Sequence, residues 1–581
     1  MNLSVGGAVR NFGDTALDAC KDELVQLFID KKALVPVRWN DLSDAQRKKV
    51  VRSHMFLREK YEDGKFIKMK GRIVADGRMQ DRTIYTDYSS PTAKTRSVMT
   101  LLKLAAVQGW NLMEVDVGGA FLCTSIDDEE EVFLQLDESL ASMAKDWVPS
   151  VAEFIRDDGK LVVRVDKAMY GLIQSAKLWY KELTKFLKDN GFQVCPSDEC
   201  VLVKRVDGAE PIVVILYVDD ILILAKLDGD RVWVKDILER KYEKITVTEG
   251  NRLPYLGMTI VKNKEGYQVS MTSYIEDTLN LYGRKVREYV NPTKANLFEV
   301  EEGKPITEKA KFHSMVAKLL YLGKRGRPDI LLPVQYLCTR VKGPTTDDER
   351  KLERVLGYLQ LTKTWTRVYD KSPIERVHTY IDASFAIHPD GKSQSGCAVF
   401  LGNTLVHETC KKQKIITRNS TEAELVALSD HIQEGELIEE FLLDMSMLCD
   451  IEVLDNVHLV YQDNKPTITI VKNGGGKART KYMKVRGEYV RERLKMKELE
   501  IEYVRTTDMI ADVLTKPQSG EGYHNLVRLL LGRHKFQSSY ASNRGAKSTM
   551  ARTASQATEN LARRMSALNC SHQHETGKRK K

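Results

Sequence analysis

The chain has no apolar stretch long enough to cross a bilayer. One of its longest runs, from Ile212 to Tyr217, is six residues against the about 20 that a membrane helix needs, so no membrane partner is expected. Cysteine is sparse and scattered: nine in 581 residues, an odd number, without the paired short spacings of a zinc site. Cys195 and Cys200 are the one close pair, with no second pair or histidine beside them, so a reducing compartment fits best. Proline is also scarce, at 15, while 42% of the residues are hydrophobic, which excludes a collagenous or largely disordered chain. Residues 1–28 lack the basic start and apolar core of a secretory signal. No internal repeat is found, so organisation has to come from local periodicity and composition.

A length of 581 residues predicts three or four domains at about 100 to 200 residues each. The formal charge is +9, but it is not spread evenly. Glu521–Lys581 holds twelve basic and three acidic residues and carries the whole excess, leaving residues 1–520 neutral. A nucleic-acid partner would therefore have to be held by local patches. Lys65, Lys68, Lys70 and Arg72 form one such patch, and Lys324, Arg325 and Arg327 a second. The terminal GKRKK suits a nuclear import signal, a counterion-releasing arm or a solvated tail.

Periodicity places the chemistry. KFIKMKGRIVA (65–75) alternates basic and apolar residues as a strand with one charged face. SVMTLLKLAAVQG (97–109) has helical spacing closed by Gly109, and WNLMEVDV follows as a strand bearing Asp116 near its end. IVVILYVDDILILA (212–225) is two apolar runs around Asp219 and Asp220, a buried β-hairpin with the carboxylates at its turn. Three converging carboxylates could hold two divalent metals about 3.5 to 4 Å apart, the arrangement that nucleotide polymerisation needs. Taken alone, an Asp-Asp pair in a solvated turn accounts for the same residues. From Val377 the rhythm changes: VHTYID is a strand, GCAVFLGNTLV suggests two more, and TEAELVALSDHIQEGELIEEFLLDM is an amphipathic helix. VHLVYQDN and IEYVRTT add strands, with short helices from Lys465 and over DMIADVLTK. Asp382, Glu424, Asp463 and Asp512 lie on these elements in order, a second set suited to two-metal hydrolysis.

The neighbouring residues turn these patterns into a resemblance. YVDD (217–220) and DVGGAFL (116–122) resemble the catalytic box and first metal-ligand strand of reverse transcriptases. KGRIVADG (70–77), KAMYGLIQSAKLWYKEL (167–183), YLGM (255–258) and LLYLGKRGRPDI (319–330) occur in the order seen in copia-type LTR retrotransposon polyproteins. TYIDAS (379–384), STEAELVAL (420–428), VYQDN (460–464) and IADVLTKP (510–517) resemble an RNase H domain. The resemblance covers about residues 35–517.

It implies an α/β and α+β multidomain chain, a right-hand polymerase of fingers, palm, thumb and connection followed by an RNase H-like α/β domain. The expected boundaries are an N-terminal extension at 1–34, fingers and palm at 35–260, thumb and connection at 261–375, RNase H-like domain at 376–518, and a basic, partly disordered tail at 519–581. The implied activity is RNA-directed DNA synthesis with degradation of the RNA strand. Asp116, Asp219 and Asp220 would bind two Mg²⁺, with Mn²⁺ an alternative, and Asp382, Glu424, Asp463 and Asp512 two more. Lys70 and Arg72 would grip the triphosphate, though surface charge explains them too. Phe121 would exclude a 2′ hydroxyl or be an ordinary core ring, Gln174 would contact the nucleotide, and Tyr217 would abut the primer end.

The implied partners are an RNA template, a DNA primer, RNA–DNA hybrid and deoxynucleoside triphosphates, with a homodimer or particle assembly compatible. The implied place is the cytoplasm, in virus-like particles, with nuclear entry open. Within STEAELVAL the helix register favours Glu424 over Glu422. Gly118, Gly119 and Ile173 depart from the family at fine nucleotide or template contacts, while Tyr482 and Lys484, with no histidine but His458 between Cys449 and Asp512, make modest hydrolysis the expectation. No DTG or DSG protease motif and no integrase zinc cluster or zinc knuckle is found, so neither polyprotein processing nor integration is expected. The alternative is a decayed or host-adopted copy that binds nucleic acid without catalysis; seven intact carboxylates weigh against it.

Overall fold

The computed structural model describes residues 2–62, 65–83, 89–126, 131–206, 208–452, 457–474 and 481–533, without the side chains of residues 2, 60–62 and 65. Residues Met1–His534 cluster as one compact unit. The Lys65 side chain, Cys570 and GKRKK lie outside the described residues.

Helix α1 (Asp14–Val25) packs on a two-stranded finger, β1 (Val51–Glu62) and β2 (Lys65–Ala75). Alternation in β2 buries Met69 and Ile73 while Lys68, Lys70 and Arg72 share the opposite face. Glu23 of α1 is buried and accepts the Ile73 amide at 2.9 Å. Within the expected N-terminal extension, Asp14–Val25 is thus packed into the fingers, not appended to them. The periodicity read from the sequence marks no strand before Lys65, whereas Val51–Glu62 is strand β1.

Helix α2 (Thr95–Gln108) ends on Gly109 in the left-handed region, as its pattern predicts. The palm sheet follows: β3 (Asn111–Val117), β4 (Asp198–Lys204), β5 (Ile212–Tyr217), β6 (Asp220–Ala225) and β7 (Ile245–Glu249), with helix α3 (Ser175–Asp189) preceding β4. Its order β7-β3-β6-β5-β4 places the carboxylate strand β3 beside the hairpin strand β6. Ile212–Leu216 and Ile221–Ala225 are all buried, so the hairpin is fixed by core on both sides.

Strands β8 (Arg252–Tyr255), β9 (Met258–Asn263) and β10 (Gly266–Ser270) lead into the helical thumb, α4 (Thr272–Tyr282), α5 (Lys309–Arg325) and α6 (Thr346–Thr362). Strand β11 (Arg367–Asp370) then returns to pair with β10. Arg327, expected in a nucleic-acid patch, is wholly buried: its guanidinium forks onto Asp329 at 2.7 and 3.0 Å and onto Thr362. That expectation is corrected. A bidentate partner together with a carbonyl and a hydroxyl acceptor makes this charge tolerable inside the protein. Arg325 and Lys324 keep solvent access.

The last layer is β12 (Val377–Ser384), β13 (Gln394–Leu401), β14 (Thr404–Lys412), α7 (Ser420–Cys449), β15 (His458–Gln462) and β16 (Leu499–Tyr503). The order β14-β13-β12-β15-β16 is antiparallel within its first three strands and parallel from β12 through β15 to β16. This is the RNase H-like α/β arrangement. DMIADVLTK is not an α-helix: residues Ile510–Leu514 form a 3-10 turn. The expected tail from 519 is also corrected at its start, because Gly520–Leu530 is helix α8, with Tyr523, Leu526, Val527 and Leu530 buried.

Two buried cations join these layers. Lys103 of α2 donates to the Asp370 carboxylate at 2.7 Å, to its carbonyl and to Ser372. Arg367 reaches across to Glu408 of β14 at 3.0 Å. Burial pushes the Asp370 carboxyl up, but hydrogen bonds from Lys103 and Ser372 outweigh it and set it at about 2. Burial draws Lys103 down from its ordinary value, and Asp370 opposes this. Because the folded carboxyl titrates below its unfolded value, its stabilisation is complete above roughly pH 4 and disappears as pH falls through about 2. The stability difference between the unmodified protein and Asp370→Asn is therefore expected to shrink from pH 5 to pH 2 in urea denaturation. A difference independent of pH would refute it.

Candidate active sites

In the palm, Tyr217 pairs with Asp220 across the two-residue turn Val218–Asp219. Val218 takes φ 60°, and the Trp179 indole of α3 donates to its carbonyl at 2.6 Å, pinning the turn to the helix. Asp220 lies in register opposite Asp116, and the Val117 amide faces the Asp219 carbonyl. All three carboxylates are half-buried at one end of the sheet. A one-residue slip would turn Asp116 and Asp220 to the wrong face, so the packed hairpin sets the site.

Arg72 lies with its guanidinium 4.3 Å above the Tyr170 ring, and that ring meets Phe121 edge-on at 4.9 Å. Burial raises the Tyr170 phenol; Asp219 and Asp116 add to this while Arg72 opposes it. Tyr170 thus joins the basic finger strand to the carboxylates. Its backbone is held by the Ala75 amide on its carbonyl at 2.9 Å, and next to it Gly171 sits at φ 94°, where a Cβ would fall 2.0 Å from the Ala75 carbonyl oxygen. Only glycine fits there. Lys70 is half-exposed on the same finger face, opposite Arg58. Gln174 is 7% exposed; its carbonyl oxygen accepts from Gln80 at 3.1 Å, and its amide nitrogen is buried without an acceptor. A buried donor left unmatched in the protein suits a ligand acceptor.

Tyr321 of α5, unassigned from sequence, donates to the Leu256 carbonyl at 2.7 Å, with Arg325 3.8 Å over its ring. Burial raises its phenol, with Tyr217 and Asp220 contributing, which places the thumb helix against the palm hairpin.

In the RNase H-like layer, Asp382 on β12, Glu424 on α7 and Asp463 after β15 converge, with ligand oxygens within 4.8 Å of one another. Among the described residues this is the one group of three or more to close so tightly, so the palm carboxylates are more open. Glu424 is 4% exposed and faces the site, whereas Glu422 pairs with Arg418 at the helix start. Burial first, then Asp382 and Asp463, pushes the Glu424 carboxyl well above its ordinary range. Asp463 is raised by burial and Asp382.

Asp512 lies outside this tight group, and burial with Asp382 sets its carboxyl at about 7. Lys516, also unassigned from sequence, bridges the two at 3.1 Å to Asp382 and 2.7 Å to Asp512. Thr515 donates to Asp382 and Gln518 to Asp512. Crowded carboxylates that hold protons for want of positive charge are the donor set a hard divalent cation matches. His458 is buried in β15 against Thr379, and burial takes its imidazole to about 3, so it supplies no proton carrier to the site.

A carboxylate hairpin in a palm sheet, followed by the mixed sheet with four acids, defines a right-hand polymerase joined to an RNase H-like domain. Residues 38–286 match the family described as Reverse transcriptase (RNA-dependent DNA polymerase). The chain is 28% identical over 482 residues to the Retrovirus-related Pol polyprotein from transposon RE2 of Arabidopsis thaliana, covering 82% of this chain and 31% of that protein. It is 27% identical over 493 residues to the Pol polyprotein from transposon TNT 1-94 of Nicotiana tabacum, covering 83% and 35%. The chain is thus similar to the reverse transcriptase region of copia-type retrotransposon Pol polyproteins and spans about a third of the length of these relatives. A foamy viral protease-reverse transcriptase solved with double-stranded DNA aligns at TM-score 0.49 and 12% identity, over 83% of this chain and 68% of that one.

Proposed function

We propose that the chain copies RNA into DNA and degrades the RNA strand of the resulting hybrid. The register of Asp220 against Asp116, with Asp219 in the adjoining turn, carries the polymerase reading. Asp116, Asp219 and Asp220 would hold two divalent ions, Mg²⁺ or Mn²⁺, whose positive charge would supply activation of the primer hydroxyl and neutralisation of the leaving diphosphate. Arg72 and Lys70 face the triphosphate from the finger strand, with Arg72 oriented by Tyr170. Phe121, packed on Tyr170, leaves no room for a 2′ hydroxyl, and the Gln174 amide donates to the nucleotide. Tyr217 abuts the primer terminus.

Asp382, Glu424, Asp463 and Asp512 would hold divalent metals, which would supply activation of water against the RNA strand. The partners are template RNA, primer, hybrid and deoxynucleoside triphosphates, in cytoplasmic particles. Primer extension on an RNA template with Mg²⁺, run beside cleavage of a labelled hybrid, tests both activities. A protein that binds hybrid yet extends no primer with any divalent metal is instead a non-catalytic nucleic-acid binder.

A further inference from the structure

We propose that Lys516 is a tethered counter-ion spanning Asp382 and Asp512 in the RNase H-like site, so that a divalent cation bridging those two carboxylates must displace the lysine ammonium, whereas one held chiefly by Glu424 and Asp463 need not. This rests on the nuclease reading above. The four acids are not equivalent. Asp382, Glu424 and Asp463 gather their oxygens within 4.8 Å and leave room for a first cation. Both oxygens of Asp382 and both of Asp512 are engaged by one short segment. Lys516 takes Oδ1 of each, Thr515 takes Oδ2 of Asp382, and Gln518 takes Oδ2 of Asp512.

The ammonium lies four residues beyond Asp512, and the lysine side chain is 29% exposed, so it has a path to solvent when displaced. A univalent ammonium held at 2.7 and 3.1 Å offsets repulsion among buried carboxylates, and a divalent ion arriving there has to overcome that attraction first. Lys516 is thus a positioning residue that raises the metal concentration needed to complete the site.

The test uses the full chain carrying Asp219→Asn and Asp220→Asn, which silences the palm carboxylates. Mn²⁺ is titrated by calorimetry, with melting temperature followed in parallel. With Lys516 present, one tight and one weak event are expected. In Lys516→Gln the weak event tightens about tenfold or more, and the metal-free protein melts lower because the acids have lost their counter-ion. Lys516→Met, which keeps the aliphatic stem, is expected to match it, and Lys516→Arg to retain the weak event.

A measurement on the protein with Lys516 intact avoids dependence on variant folding. Amine-reactive labelling read by mass spectrometry is expected to spare Lys516 without metal and to modify it at saturating Mn²⁺. A weak event unchanged in the neutral variants, or labelling indifferent to metal, overturns the role of Lys516 alone. Absence of saturable binding in every version overturns the nuclease reading and this inference with it.

Discussion

Asp219→Asn is expected to abolish primer extension, by roughly 10³-fold or more, while cleavage of an RNA–DNA hybrid continues. Asparagine keeps the size of aspartate and removes the charge that metals require. The turn itself should survive, because it is set by the Tyr217–Asp220 pair and by the Trp179 indole on the Val218 carbonyl, neither of which involves the Asp219 side chain. The melting temperature should therefore stay within about 2 °C of the unmodified protein, the usual range for a substitution that breaks no packing or buried hydrogen bond. Gel-resolved extension of a labelled primer on RNA is the measurement. Synthesis retained within tenfold would remove Asp219 from the metal site and leave the hairpin as a structural turn.

The reciprocal result is expected for Asp382→Asn: hybrid cleavage falls by roughly 10³-fold and DNA synthesis persists. Asp382 is fully buried, groups with Glu424 and Asp463, and shares Lys516 with Asp512. Neutralising it also removes the largest charge that raises Asp463, so that carboxyl should move back toward its ordinary range. Cleavage of a uniformly labelled hybrid, with primer extension as the internal check on folding, reads both effects. If a single substitution silences both activities, the two sheets do not work as separate centres.

The parts of this molecule that were legible in the sequence are those whose signal is local. Two apolar runs around Asp219 and Asp220 can only be a buried hairpin, and the helix ending at Gly109 carries its own stop signal. The choice of Glu424 over Glu422 followed from helical register, and the structure turns Glu424 into the site while Arg418 holds Glu422 outside it. What was not legible depends on distant partners. β1 was hidden because Arg52, His54 and Glu59 interrupt its apolar residues, and pairing with β2 is what makes it a strand. Arg327 looked like surface charge because nothing nearby in sequence announces Thr362 as its other partner. Lys516 and Tyr321 lay inside quoted motifs, but without a carboxylate to draw attention, and their roles exist only through Asp382 and Leu256.

Arg367 belongs to the strand that completes the β8–β11 sheet, yet its guanidinium donates to the Leu405 carbonyl and the Glu408 carboxylate of β14. A cut at the apparent junction near residue 375 would divide this buried ion pair, leaving Arg367 on one fragment and Glu408 on the other. The linear map of the chain and its mechanical map therefore differ. The polymerase portion ends, as a material object, in the far strand of its neighbour's sheet. An engineered separation of the two activities should thus silence carboxylates in place, because dividing the polypeptide would break both halves.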